Sequence, residues 1–332
     1  MQSREVRLKR YPSGMPVPED FEVAEVALPE PGPGQVAVRN LFLSVDPYMR
    51  GRMNPGRKSY VPPFELGKAL SGDAVGRVVA SQDGRFPVGA DVLSFNGWRE
   101  GFVADAKHLE LIEPKGVSPS AFLGILGMPG LTAYGGLLRH GDPKPGKTLF
   151  VSGAAGAVGS AVAQIGKLKG CRVVASAGTP AKVRWLTEVA GVDAAIDYRA
   201  TADLAGALAQ ACPDGIHVYF ENVGGRHLEA ALDNMALHGR IVVCGLIDGY
   251  NRANPGPANL FQIIAKRLTV QGILVRDHQD MKPAFLAEMK AWIASGRVKW
   301  QETVVEGIER MPEAFIGLFT GANLGKMVVK VG

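Results

Sequence analysis

From Thr148 onward the chain alternates strand-like and helix-like text. TLFVS precedes SAVAQIGKLKG, CRVVASA precedes PAKVRWLTEVA, AAID precedes LAGALAQAC, and IHVYFEN precedes HLEAALDNM, with IVVCG and LTVQGIL closing the run. Six β-rich runs separated by helical runs of about ten residues call for right-handed βαβ crossovers. The expected architecture is an α/β, doubly wound, parallel six-stranded sheet with helices on both faces. Upstream, short runs such as DAVGRVVAS and GADVLSFNGW carry a strand-and-glycine rhythm, as in a small twisted barrel. After a last helix near 283–295 the tail turns β-like again (ETVVEGI, KMVVKV) and is expected to pair back into the first domain. The 332 residues thus divide into a β-barrel domain, 1–125 completed by 304–332, and a parallel-sheet domain, 126–303, in keeping with about 150 residues per domain.

The most informative segment is TLFVSGAAGAVGSAVAQIGKLKG. A buried strand feeds the turn Gly153-Ala154-Ala155-Gly156-Ala157-Val158-Gly159, and a helix follows directly. Gly156 lets backbone approach a pyrophosphate, Gly159 is expected to let the helix pack closely on the sheet, and free N–H groups at the helix start face the anion. Ala154 stands where the first glycine of G-x-G-x-x-G would be. In a strand–turn–helix context that opens a series of βαβ units, the pattern predicts a dinucleotide site. An NAD site would carry Asp or Glu at the end of the second strand. Here that strand ends Ala175-Ser176-Ala177-Gly178-Thr179, and Lys182 follows at the start of the next helix. A charge-assisted contact from Lys182 to a 2′-phosphate is worth about 1.5–3 kcal/mol, so NADP(H) is favoured.

Composition narrows the partners. Lys plus Arg is 37 and Asp plus Glu 32, a net charge of +5, which suits small anions and falls short of a nucleic-acid footprint. Three scattered cysteines, Cys171, Cys212 and Cys244, form no disulfide framework and fit a reducing compartment. The opening MQSREVRLKR lacks the apolar core of a secretory signal. The uncharged stretch 121–138 is interrupted by Pro129 and five glycines, and 148–166 is the strand, turn and helix just described. No membrane span is therefore expected, and the chain is read as cytoplasmic.

Two common routes to carbonyl–alcohol interconversion lack their residues. Residues 1–170 contain no cysteine and only His108 and His140, and no C-x-x-C pair occurs anywhere, so no metal site is expected. No tyrosine is followed four residues later by lysine. The remaining chemistry is hydride transfer in which a hydroxyl stabilises a developing oxyanion.

The segments SVDPYMRGRM (44–53), GMPGLTAYGGL (127–137), FENVGG (220–225), RIVVCGLIDGYN (240–251) and GANLGKMVVKV (321–331), together with 151–174, run through both domains. On these the chain resembles the zinc-free medium-chain reductases of the leukotriene B4 dehydrogenase, prostaglandin reductase and alkenal double-bond reductase family. SYVPPFELG (59–67) is most similar to the bacterial and plant branches, including curcumin-reductase-like enzymes. The resemblance implies a Rossmann domain with a GroES-like barrel, NADP(H) as cofactor, and a homodimer paired along the sixth strands near 268–274. It places Gly156, Ala157, Val158 and Gly159 on the pyrophosphate, Lys182 on the 2′-phosphate, and Tyr198 against the adenosine ribose phosphate. Asn222 would approach the nicotinamide. Cys244, Gly245 and the loop through Tyr250 would line the cofactor, as would Ile273, Leu274 and Val275. Asn323 would close over it from the tail. Read alone, Asn222 and Asn323 also suit turns, and Tyr198 and Cys244 also suit strand-end cores.

The reaction so implied is 1,4-reduction of an α,β-unsaturated aldehyde or ketone, with hydride going to the β-carbon. Tyr250, just past the fifth strand, would donate to the enolate oxygen, a role the cofactor ribose could share. A phenol with a pKa near 10 remains a donor at neutral pH. Tyr60, stiffened by Pro62-Pro63, is the second catalytic candidate and either orients substrate or packs at the surface. Tyr48 would support the barrel side of the cofactor. Met49, Met53 and Met128 would form either an adaptable apolar wall or core. A quinone reductase, an allylic alcohol dehydrogenase and a non-enzymatic NADP-binding module remain alternatives.

Overall fold

A computed structural model describes residues 1–332 apart from 57, 254 and 255. The chain divides into two compact units, Gly124–Gln301 and a second made of Met1–Leu123 with Glu302–Gly332.

The unit Gly124–Gln301 is a six-stranded parallel sheet. In chain order its strands are β1 (Thr148–Val151), β2 (Arg172–Ala177), β3 (Ala194–Asp197), β4 (Ile216–Glu221), β5 (Met235–Val243) and β6 (Thr269–Gly272). They lie side by side as β3-β2-β1-β4-β5-β6, the Rossmann order, which reverses between β1 and β4. The helices are α1 (Met128–Gly135), α2 (Ala157–Leu168), α3 (Pro180–Glu188), α4 (Leu204–Ala211), α5 (Arg226–Asn234), α6 (Phe261–Ala265) and α7 (Lys282–Ala294). β1 is buried at every position, because strands covered by helices on both faces have no polar side. Thr179 caps α3 by accepting the Lys182 N–H, and Pro180 follows at the first helical position. On one face of the sheet Phe150, Val174, Ile216, Tyr219 and Ile241 pack with Leu204, Leu208 and Ala231 of α4 and α5.

The other unit is largely antiparallel. A seven-stranded sheet is built around Gln35–Ser44, and a two-stranded ribbon pairs Gln2–Leu8 with Phe21–Ala27. The final strand, Lys326–Lys330, pairs with Gln35–Ser44 through Val328 opposite Ser44. Lys326 is buried and donates to the Val45 carbonyl at 2.7 Å and to Asp46 Oδ1 at 3.0 Å. Phe21 stacks on Trp98, and Phe315 meets both rings edge-on in this core. Met49 and Met53 are wholly buried there, so they pack the core and do not form the adaptable wall. Among the described residues no helix is long and apolar enough to cross a membrane.

Candidate functional site

The carboxyl ends of β1, β2, β4 and β5 carry most of the sequence-assigned residues. Gly156 is the N-cap of α2 in extended backbone, and no side chain caps that helix. Its first-turn N–H groups are therefore the orphan donors that an anion can satisfy. The structure alters the role read for Gly159. A β-carbon there would strike the Gly153 carbonyl and Ala154 Cα of the turn itself. The close approach of α2 to the sheet is made two helical turns further on by Gly166, against Leu149 and Val173. Periodicity does not separate these two glycines, because both lie on the inward face.

At the β2–β3 end, Tyr198 follows β3 and crosses the end of β2, where a β-carbon on Gly178 would come within 2.8 Å of its hydroxyl. The Tyr198 ring also meets His227 of α5 edge-on, with centroids 4.7 Å apart. Burial, and then the nearby Arg199 guanidinium, lowers the pKa of Lys182. Arg199 lies 6.0 Å from the Tyr198 ring centroid. Two cations and a tyrosine thus share this corner. Lys182 and Tyr198 are expected from the sequence and Arg199 is not, although its place directly after Tyr198 in DYR is a signal for it.

At the β4–β5 end, the Asn222 side-chain amide donates to the Ser152 carbonyl at 2.7 Å, spanning the point where strand order reverses. Cys244 is half-buried, and burial followed by the proximity of Glu221 pushes its thiol up to about 12. It is a protonated, unreactive thiol at neutral pH. Tyr250 closes a single 3-10 turn, Ile247–Gly249, after β5. A β-carbon on Gly245 would lie 3.3 Å from the Tyr250 hydroxyl, so the phenol rests on the backbone of the loop's first turn. Ile273 continues from β6 and donates its N–H to the Val243 carbonyl at 3.1 Å, with Leu274 and Val275 leading into the next turn.

Tyr60 and Asn323 belong to the other unit. Tyr60 is 52% exposed. The arm carrying it is held by Arg52, which donates to the Pro62 carbonyl at 2.9 Å, accepts the Phe64 N–H on its own carbonyl at 2.8 Å, and lays its guanidinium 3.8 Å from the Phe64 ring centroid. No local pattern in the sequence signals that clamp. Tyr48 packs against the core beside Asp46, and burial raises its phenol well above the ordinary value. The Asn323 amide donates to the Gly325 carbonyl at 2.7 Å, closing the turn before the last strand. Among the described residues no group of three or more His, Cys, Asp or Glu is placed to hold a metal ion.

Comparison with known proteins defines the class. Residues 4–112 match the family described as the N-terminal domain of oxidoreductase, and 157–291 match the family described as zinc-binding dehydrogenase. The chain belongs to the medium-chain reductase family that contains the curcumin, alkenal and prostaglandin reductases. It is 44% identical over 331 residues to the NADPH-dependent curcumin reductase of Escherichia coli, covering 98% of this chain and 95% of that one. It is also 44% identical over 335 residues to the 2-alkenal reductase (NADP(+)-dependent) of Nicotiana tabacum, covering 99% and 97%. A crystal structure of CurA from Vibrio vulnificus in complex with NADPH superposes with a TM-score of 0.94 over 99% of both chains, at 42% identity.

Proposed function

We propose that the chain is an NADPH-dependent reductase of the carbon–carbon double bond of α,β-unsaturated aldehydes and ketones. The observation that carries this reading is the 44% identity, over nearly the full length, with reductases named for curcumin and for 2-alkenals. The residues at the sheet's carboxyl edge suit the cofactor. The uncapped start of α2, at Gly156 to Gly159, receives the pyrophosphate. Lys182 and Arg199 receive the 2′-phosphate, and β2 ends without the acid an NAD site would carry. Tyr198, Asn222, Cys244, Gly245, Ile273, Leu274, Val275 and Asn323 complete the cofactor contacts.

Bound NADPH supplies a hydride to the β-carbon of the enone, and the displaced π electrons settle on the carbonyl oxygen. Tyr250 donates its phenolic hydrogen bond to that oxygen, an interaction worth about 2.7–4 kcal/mol of barrier in comparable oxyanion sites. The α-carbon then takes a proton from water, and Tyr60 orients the substrate. Cofactor binding is assigned to Gly124–Gln301, Asn323 excepted, and substrate recognition to the other unit. A homodimer paired along β6 is part of the reading. The strand is exposed throughout, and Phe261 and Ile264 on α6 are 72% and 71% exposed, features that mark an edge awaiting a partner. The three free cysteines support work in the reducing cytoplasm.

The test is NADPH consumption with short 2-alkenals, curcumin-like dienones, 15-oxo-prostaglandin-like enones and ring quinones. Turnover with alkenals or dienones is expected. Turnover with quinones alone would make the chain a quinone reductase. Activity only with NADP+ and an allylic alcohol would reverse the direction, and NADPH binding without turnover would leave a binding module.

A further inference from the structure

Glu221 ends β4 fully buried, and its carboxyl meets only neutral donors. Oε1 accepts the Ser152 hydroxyl at 2.7 Å and the Val223 N–H at 2.6 Å. Ser152 Oγ in turn accepts the Asn222 N–H at 2.9 Å, while the Ser152 carbonyl accepts the Asn222 side chain. The main chain here ties in the next loop. The Glu221 carbonyl accepts the N–H groups of Cys244 and Gly245, and the Asn222 and Val223 carbonyls accept those of Ile247 and Asp248. One buried carboxyl therefore stands where the turn after β1, the turn after β4 and the loop after β5 converge. Oε2 and the Tyr219 hydroxyl of the same strand are both buried, with the phenol close to the carboxyl. A polar group so placed is costly compared with an apolar core residue. What it organises is the ligand-binding edge of an open sheet.

We infer that Glu221 is a positioning residue for the dinucleotide: through Ser152 and the Val223 amide it holds Asn222 and the Cys244–Tyr250 loop in the arrangement that receives the nicotinamide half. The inference rests on the functional reading above. Burial raises the pKa of the carboxyl. Glutamine, which keeps the Oε1 acceptor, is then the conservative replacement.

The experiment measures NADPH affinity directly, by fluorescence titration, alongside steady-state constants and thermal unfolding, for wild type, Glu221→Ala, Glu221→Gln and Ser152→Ala. Glu221→Ala should weaken the NADPH Kd about 10- to 100-fold, the size expected for losing one or two buried hydrogen bonds. Its KM for the enone should stay near wild type, and Glu221→Gln should restore most of the NADPH affinity. Ser152→Ala should fall between the two. If Glu221→Ala does not fold, Ser152→Ala and Glu221→Gln decide. Wild-type NADPH affinity in Ser152→Ala, or in a Glu221→Ala that is merely less heat-stable, overturns this inference alone. Glu221→Gln as impaired as Glu221→Ala also overturns it. A wild-type protein that binds no NADPH overturns the functional reading as well.

Discussion

The two ends of the sheet's carboxyl edge are built from different chemistry. At the β2–β3 end, a half-buried lysine and an exposed arginine lie beside a tyrosine, and the lysine's charge is already strained by burial and by Arg199. On the proposed assignment an arriving anion would relieve that strain, and this corner would discriminate by charge. At the β4–β5 end, Glu221, Ser152 and Asn222 form a network of short hydrogen bonds with no net cation, and the Tyr250 loop is attached through main-chain bonds. On the same assignment that end would discriminate by position. Surface charge is screened and tolerant of small shifts, whereas a developing oxyanion needs its donor held to within a few tenths of an ångström. The contrast teaches where mutations should alter selectivity and where they should alter turnover.

The largest effect should come from Tyr250→Phe, which ought to lower kcat with an enone about 100- to 1,000-fold while leaving the NADPH Kd unchanged. Unchanged turnover would remove the phenol from the chemistry and erase the contrast.

His227 links the two ends, since α5 follows the Asn222 turn and its imidazole meets Tyr198. Burial, and next Arg226, lowers its pKa to about 4, with Asp248 opposing. The unfolded chain binds the proton near pH 6.5, so between that value and about 4 the unfolded state takes up protons that the folded state refuses. Stability should fall through that window on acidification and be full above it. The His227 contribution is about 3 kcal/mol. Denaturant melts at pH 4.5 and 7 for wild type and His227→Phe check this, and an equal acid loss in both would show that the ring is not the source.

Lys182→Ala should raise the KM for NADPH about 10- to 150-fold with little change for NADH. Equal effects on both nucleotides would refute the phosphate assignment. Arg199→Ala should give the smallest change, about 2- to 5-fold, and salt should diminish it, as for an exposed charge.

The parallel sheet and the glycine turn after its first strand were legible because buried strands write apolar runs and the glycine spacing follows from local backbone geometry. Lys182 was legible for the same local reason: it sits in the first turn of a helix whose cap, Thr179, and Pro180 stand beside it. The Glu221 network was not, because its partners Ser152 and Asn222 lie about 70 residues apart and meet only once β1 and β4 pair. The same holds for Lys326 and Asp46, about 280 residues apart, and for the packing of Met49 and Met53, which a mixed apolar text leaves undecided between core and wall. Gly159 and Gly166 exchange the role read from pattern because the turn folds back under the helix it starts.

The central claim is that a hydride reaches the β-carbon of a conjugated olefin. It is tested most directly by incubating the protein with a 2-alkenal and NADPH deuterated at the transferable position, then locating the label by NMR. Deuterium at C3 of a saturated aldehyde is the predicted result. Deuterium at C1 of an allylic alcohol, or a product with no label, would contradict it.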